Sequence, residues 1–389
     1  MIVASNIIGS IGWGLCWTYL NFRLYDIGAT YLQLCLMDSL AAITYLSSRF
    51  WGALSDYYGR RKPFMISGFF ASALPVIVMA LRNADIWALL LSYLMACFFW
   101  AIAYPAYMAA LTSDPEREKA TMIFSLVGSV GFAIGSSVMG PAEALLGPSG
   151  LFFLCFLILT AFPASLIIYS EEPLPRKPGS PLSYARGAFS IRLRASAGFG
   201  FLLIGVFLAW LGLQWASPLA RMRLYDLLGR SKLIMGLLWG MSSVASAVAL
   251  VLAREAIKKF GGLGTLTAST ACYAIIMLCF AIVENPVAYA ILWLMPVWSF
   301  FNLGYVLSPA EFTSEDVRGE AMGACEVAKN LGVLIGLSGG FLADVLGREA
   351  SLAISAVPLA LALLPLTASK TRMKGKAKAI LGGSQPVPA

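Results

Sequence analysis

Twelve apolar stretches of roughly 20 residues divide this chain, and no other feature of its sequence limits the fold so tightly. A helix needs about 20 apolar residues to cross a hydrocarbon core about 30 Å thick. The stretches run over 2–22, 31–53, 63–81, 86–111, 120–141, 150–169, 199–220, 231–253, 262–283, 287–309, 319–341 and 350–368. Backbone in lipid must satisfy its own hydrogen bonds, which leaves helices or a closed barrel, and these runs lack the alternation of barrel strands. The expectation is an all-α polytopic membrane protein. Composition agrees, since 59% of residues are hydrophobic and only 12% charged, where a soluble domain carries about 25% charged residues.

Lysine and arginine resist translocation and so set orientation. Of the 28 basic residues, 19 fall in loops on the side that holds the central loop and the C-terminus and 6 on the other, while Arg49, Lys232 and Lys329 lie inside spans. Both termini are therefore expected in the cytoplasm of a plasma-membrane protein. The opening Met1 to Asn6 has neither a basic region nor a small-residue cleavage site, so the first helix is expected to stay. The net charge of +8 sits in short loops and in the tail from Lys370 to Lys378, which suits membrane lipids rather than nucleic acid. All seven cysteines fall in spans, none in a Cys-x-x-Cys pair, so no disulfide framework or metal site is expected. No nucleophile–base pair or phosphate-binding loop stands out, so the chain does not read as an enzyme, and no cofactor is implied. Histidine is absent; proton coupling, if the chain performs it, must use carboxylates.

The longest polar interruption divides the chain into bundles at 1–169 and 198–369, joined by a loop at 170–197 and followed by a basic tail at 370–389. Arg23-Leu24-Tyr25-Asp26 recurs as Arg223-Leu224-Tyr225-Asp226, and Thr112-Ser113-Asp114 with Arg117 recurs as Thr313-Ser314-Glu315 with Arg318. Gly131 and Gly135 recur as Gly332 and Gly336. Matches at a constant offset point to a duplicated six-helix unit. A finer echo lies inside each half. The spacing of Gly52 and Gly59, between spans 2 and 3, returns in Gly340 and Gly347, between spans 11 and 12, and more faintly in Gly140 and Gly147. That is the pattern of inverted three-helix repeats.

The stretch Gly52-Ala53-Leu54-Ser55-Asp56-Tyr57-Tyr58-Gly59-Arg60-Arg61-Lys62 closely resembles the signature loop of the major facilitator superfamily. The resemblance implies twelve transmembrane helices in two pseudo-symmetric six-helix bundles, with this loop latching the halves in one conformation. Gly52 and Gly59 permit a close helix approach and a tight reversal. Asp56 is expected to face a helix N-terminus, supplied in the family by helix 11. Arg60, Arg61 and Lys62 are expected to anchor the loop at the cytoplasmic face. The family's antiporters often carry a proline in helix 5 after paired glycines, and many proton-coupled members carry an arginine in helix 4. Here Ser136 follows Gly135, and helix 4 has no arginine.

A charge deep in a bilayer costs about 2.5 to 3.5 kcal/mol on an insertion scale and normally has a partner or a wet cavity. Asp38 in span 2 and Glu326 and Lys329 in span 11 meet that description. Family packing brings these two spans together, so one expectation is a bridge from Asp38 to Lys329 that breaks and reforms in transport. The other is that Glu326 and Lys329 neutralise each other while Asp38 hydrogen-bonds serine or threonine neighbours. Protonation of Asp38 or Glu326 is the natural coupling step, since desolvation disfavours a charged carboxylate.

In the superfamily, spans 1, 4, 7 and 10 line the central cavity, and here they hold eight of the ten tryptophans. Trp100, Tyr104 and Tyr107 share one helical face, as do Trp298, Asn302 and Tyr305, Trp13 with Trp17, and Trp210 with Gln214. Such a cavity suits an amphipathic organic molecule. Arg23, Arg221 and Arg223 either attract an anionic substrate or pair with Asp26 and Asp226. Glycines 128, 131, 135, 236, 240, 332 and 336 stand at spacings that allow close helix contact, which family packing places between the halves.

The expected function is secondary transport by a monomer, exporting a small amphipathic solute in exchange for protons. Proton-driven uptake of a sugar or organic anion is the alternative. A non-transporting sensor or a lipid scramblase on the same fold is the alternative of another class.

Overall fold

The computed structural model describes residues 2–112, 117–171, 175–182, 198–313 and 318–382. The expected Thr112 and Thr313 repeats lie partly outside them. Among the described residues the main elements are fourteen helices: α1 (Ile2–Asp26), α2 (Tyr31–Leu46), α3 (Ser48–Tyr58), α4 (Lys62–Leu81), α5 (Ile86–Thr112), α6 (Arg117–Ser137), α7 (Met139–Leu166), α8 (Phe199–Leu227), α9 (Lys232–Ile282), α10 (Pro286–Leu294), α11 (Val297–Leu307), α12 (Arg318–Gly336), α13 (Ser338–Leu346) and α14 (Arg348–Gly382). A 3₁₀ turn at Ser308–Glu311 follows α11.

Among the described residues, nine helical segments are long and apolar enough to cross a membrane. One of them, the 51-residue α9, takes in two expected spans and turns at Gly261, where φ is 76° and ψ 170°. The second expected span is split at Ser47 into α2 and α3. The first corresponds to α1, whose Ser5, Asn6 and Thr18 dilute its apolarity.

Among the described glycines with positive φ are Gly59 (63°), Gly147 (68°), Gly261 (76°) and Gly347 (92°), each at a reversal. At Gly147, Gly261 and Gly347 ψ is 176°, 170° and 151°, a region essentially closed to other residues. Gly261 supplies a fourth copy of the turn that spacing alone missed, because Arg254 stands where the other copies have a glycine.

Two compact units emerge from packing. The first comprises Met1–Ser190, Arg221–Ala247 and Glu284–Met295, and the second Ile191–Ala220, Val248–Val283 and Pro296–Ala389. This division differs from the halves read off the sequence, because two pieces of the second half, Arg221–Ala247 and Glu284–Met295, pack with the first six helices.

In the first unit, α1 packs on α6 and α7, and α4 on α5 and α7. A Cβ at Gly131 would meet the Ile7 carbonyl, and one at Gly135 would stand 2.9 Å from the Leu15 nitrogen, so α1 and α6 touch backbone to backbone. The second unit repeats this contact: a Cβ at Gly332 would stand 2.9 Å from Leu211 N, and one at Gly336 would press on Gln214. These four glycines therefore join helices within one half, which corrects the expected placement between halves. Gly236 and Gly240 alone of the second-half glycines named above meet α6, at Ser136, Ser137 and Ala133. Tyr107 packs in the core of the first unit with Phe69 and Phe162, and its hydroxyl donates to Ile2 O at 2.9 Å. It therefore sits away from any open face of that unit.

Candidate functional site

At the end of α1 distant from the Gly52–Lys62 loop, the two copies of Arg-Leu-Tyr-Asp meet. Tyr25 donates to Asp226 Oδ2 at 2.7 Å, and Tyr225 donates to Asp26 Oδ1 at 3.2 Å. Lys232 Nζ stands 2.7 Å from both Asp26 and Glu143, and Tyr19 donates to Glu143 at 2.9 Å. Asp226 also pairs with Arg230 at 3.0 Å, and that guanidinium lies 5.0 Å from the Tyr25 ring centre. Of Arg23, Arg221 and Arg223, expected to attract a substrate or to pair with Asp26 and Asp226, Arg23 turns to Asn83, donating to its O and Oδ1 at 2.8 and 2.9 Å. The acids take tyrosine hydroxyls and the cations of the following turn, which are nearer in space though not in the repeated motif.

One turn deeper along α8, Arg221 is only 2% exposed. Its Nη2 stands 3.4 Å from Asp38 Oδ2, and its Nη1 donates to Asn21 Oδ1. The guanidinium lies against the rings of both Trp17 and Trp239, 4.9 and 5.1 Å from their centres. Trp239 in turn meets Trp17 at 5.2 Å and Trp293 at 5.9 Å. Burying an unpaired guanidinium costs several kcal/mol; a carboxylate, an amide oxygen and two aromatic faces offset that cost. Arginine suits the place because its planar group can stack and hydrogen-bond at once. Asp38 therefore has Arg221 as partner. Neither Trp239 nor this role of Arg221 was legible in the sequence.

In the second unit, Lys329 pairs with Glu326, and Tyr305 donates to Glu326 at 2.8 Å. Lys329 Nζ lies 5.5 Å from the Trp210 ring centre and 5.9 Å from that of Tyr305. Trp210 packs edge-on against Trp298 at 5.6 Å, Phe301 at 5.6 Å and Tyr305 at 5.9 Å. Trp298 and Asn302 are exposed. Trp210 Nε1 and Gln214 Nε2, one turn apart on α8, are buried without a hydrogen-bond partner among the described residues. Buried donors are usually satisfied, so two together on an aromatic face invite an acceptor from elsewhere. On the first unit, Trp13 stacks on Trp100 at 5.2 Å, which continues to Tyr104 at 6.4 Å.

The Gly52–Lys62 loop is held from three sides. A Cβ at Gly52 would stand 3.1 Å from Pro105 of α5, which explains the glycine. Asp56 lies 3.8 Å from Arg61, whose Nη1 donates to Ala109 O at 2.8 Å. Glu171 accepts from the backbone N–H groups of Arg61 and Lys62, so a carboxylate faces the start of α4, where the helix dipole favours it. Glu311 does the same for Gly262 and Leu263. Sequence reading singled out neither acid. From the central loop, Arg176 lies over the Tyr57 and Tyr58 rings at 4.9 and 5.4 Å, and Tyr57 donates to Gly179 O at 2.7 Å.

Comparison with solved structures finds the same fold in transporters of unlike sequence. A point mutant of the nucleoside transporter NupG superposes with a TM-score of 0.80 at 13% identity, over 95% of this chain and 100% of that one. A POT family transporter in complex with 5-aminolevulinic acid superposes with a TM-score of 0.75 at 12% identity, over 95% of this chain and 96% of that one. No curated protein matches the chain. A family model described as Major Facilitator Superfamily matches residues 2–310. With signature loop, repeats and fold in agreement, the chain belongs to the Major Facilitator Superfamily.

Proposed function

We propose that this chain is a proton-coupled secondary transporter, monomeric in the plasma membrane with both termini cytoplasmic, which exports a small amphipathic solute by alternating access. The observation that carries the reading is the Arg221–Asp38 pair, charged, buried among tryptophans and set within membrane helices. A structural salt bridge has little reason to occupy such a place, because apolar residues of similar volume would cost less. A carboxylate that binds and releases a proton has one. In this reading Asp38 is the proton carrier, and Arg221 holds it until a proton competes. Glu326, with Lys329 and Tyr305, is the second carboxylate that proton movement can use. In the second unit Trp210, Trp298 and Tyr305 receive the apolar body of the solute, and Gln214 and Asn302 its polar groups; in the first unit Trp13, Trp17, Trp100 and Tyr104 offer an aromatic face of the same kind.

One observation favours uptake of an organic anion instead. The unpartnered N–H groups of Trp210 and Gln214, beside Lys329, suit a solute rich in hydrogen-bond acceptors. Proteoliposomes with an imposed proton gradient separate the two, with pyranine inside reporting pH as amphipathic amines or aryl carboxylates are added outside. Exchange moves protons against the solute and symport moves them with it. Proton movement that no added solute alters would contradict both.

A further inference from the structure

We infer that a groove beside the signature loop is a binding site for an anionic phospholipid. The groove has a volume of about 670 Å³ and is lined by Arg60, Lys62, Ser67, Phe70, Tyr169 and Glu171, with Pro63 and Ile66 completing its floor. Its two ends differ in chemistry. Pro63, Ile66, Ser67 and Phe70 fall at i, i+3, i+4 and i+7, one face of α4 that runs from the loop into the apolar span. Arg60 and Lys62 stand at the head of that face. The Arg60 side chain is exposed and makes no ion pair or hydrogen bond among the described residues. Lys62 Nζ donates to Ile167 O at 2.7 Å, which fixes it at the rim with N–H groups to spare. The carboxylate in the groove, Glu171, is taken up by the backbone N–H groups of Arg61 and Lys62. What stays open is a cationic head above an apolar trough.

A soluble anion would use the head and leave the trough empty; a neutral lipid would use the trough and leave Arg60 alone. A phospholipid with net negative charge uses both. Phosphate and glycerol oxygens meet Arg60, Lys62, Ser67 and Tyr169, while an acyl chain lies along Ile66 and Phe70. The loop lies on the side that basic residues mark as cytoplasmic, where anionic lipid is attracted by about 1 kcal/mol per cation. Since Arg60 and Lys62 flank Arg61 and the Glu171 cap, lipid there bears on the same loop that the family uses as a latch.

The test is native mass spectrometry of the full chain in detergent, titrated with dioleoyl phosphatidylglycerol, dioleoyl phosphatidylcholine or inorganic phosphate. The wild type is expected to bind phosphatidylglycerol more tightly than phosphatidylcholine and to ignore phosphate. In Arg60→Gln/Lys62→Gln that affinity should fall about thirtyfold, two cations each giving roughly fivefold. Substituting the tail lysines Lys374, Lys376 and Lys378 by Gln should lower it far less and leave the Ile66 to Phe70 crosslink in place. A photoactivatable phosphatidylglycerol should crosslink wild-type peptides containing Ile66 to Phe70, which requires no variant to fold. Equal affinity for the two lipids, competition by phosphate alone, loss with the tail variant only, or crosslinks confined to other helices would overturn the proposal. None of these readouts depends on transport.

Discussion

The hydroxyl of Tyr25 donates to Asp226 at 2.7 Å, and each of these residues belongs to one copy of the same repeated tetrapeptide. The mirror pair, Tyr225 to Asp26, closes at 3.2 Å. Two helix ends that descend from one ancestor thus clasp each other by exchange, each tyrosine serving the other copy's acid.

The clasp predicts equal and moderate losses. Tyr25→Phe leaves Asp226 its Arg230, and Tyr225→Phe leaves Asp26 its Lys232. Each should therefore lose only a hydrogen bond to a charged group, about 1.5 to 3 kcal/mol. Denaturant unfolding of the first unit's tryptophan signal in detergent measures this. A loss from one tyrosine and none from the other would break the symmetry.

Asp38→Asn should remove most of the pH dependence of solute flux in proteoliposomes, since the chain has no histidine to replace it and only Glu326 remains as a second carboxylate. It also leaves Arg221 buried without its carboxylate, a change that costs about 3 to 5 kcal/mol when a buried pair is broken from one side. Asp38→Asn/Arg221→Gln should recover much of that stability and none of the pH dependence. Full pH dependence in Asp38→Asn would exclude Asp38 as the proton carrier.

Gly135→Ala and Gly332→Ala should each destabilise by about 1 to 3 kcal/mol, because a methyl at either place meets backbone of the facing helix. Gly200→Ala on α8, where a methyl meets nothing within 4 Å, should be neutral or gain up to about 1 kcal/mol from helix propensity. The three melting curves together check the duplicated α1–α6 and α8–α12 contacts.

Trp210→Phe should act in opposite directions in two assays. Removing a buried donor that has no protein partner is neutral or stabilising. Removing one that a solute satisfies raises KM. A rise in thermal stability with an unchanged KM would leave Trp210 as packing alone.

Hydropathy and repetition made the membrane class and the duplication legible, and the Gly52–Lys62 loop made the family legible. Partners were not. Sequence position shows how deep Asp38 lies in a helix but not its rotation relative to α8, so its link to Arg221 appeared only in three dimensions. Trp239 stands apart from the tryptophans of spans 1, 4, 7 and 10, and nothing in its neighbourhood marks it as half of a cage. The Arg-Leu-Tyr-Asp repeat was visible as a likeness, yet likeness cannot say that the copies trade hydrogen bonds. Gly261 was hidden because Arg254 broke the glycine spacing, while the backbone turn that defines the copy survived.

The central claim is that one site is reached from the two sides of the membrane in turn. Trp298→Cys, in a chain otherwise free of cysteine, puts a thiol at an exposed position of the aromatic face. In sealed vesicles of known orientation, an impermeant maleimide should label it from the cytoplasmic side while the clasp is intact. In Tyr25→Phe/Tyr225→Phe, labelling should shift to the outer side. Equal labelling from both sides at once, or the same side in both proteins, would contradict alternating access.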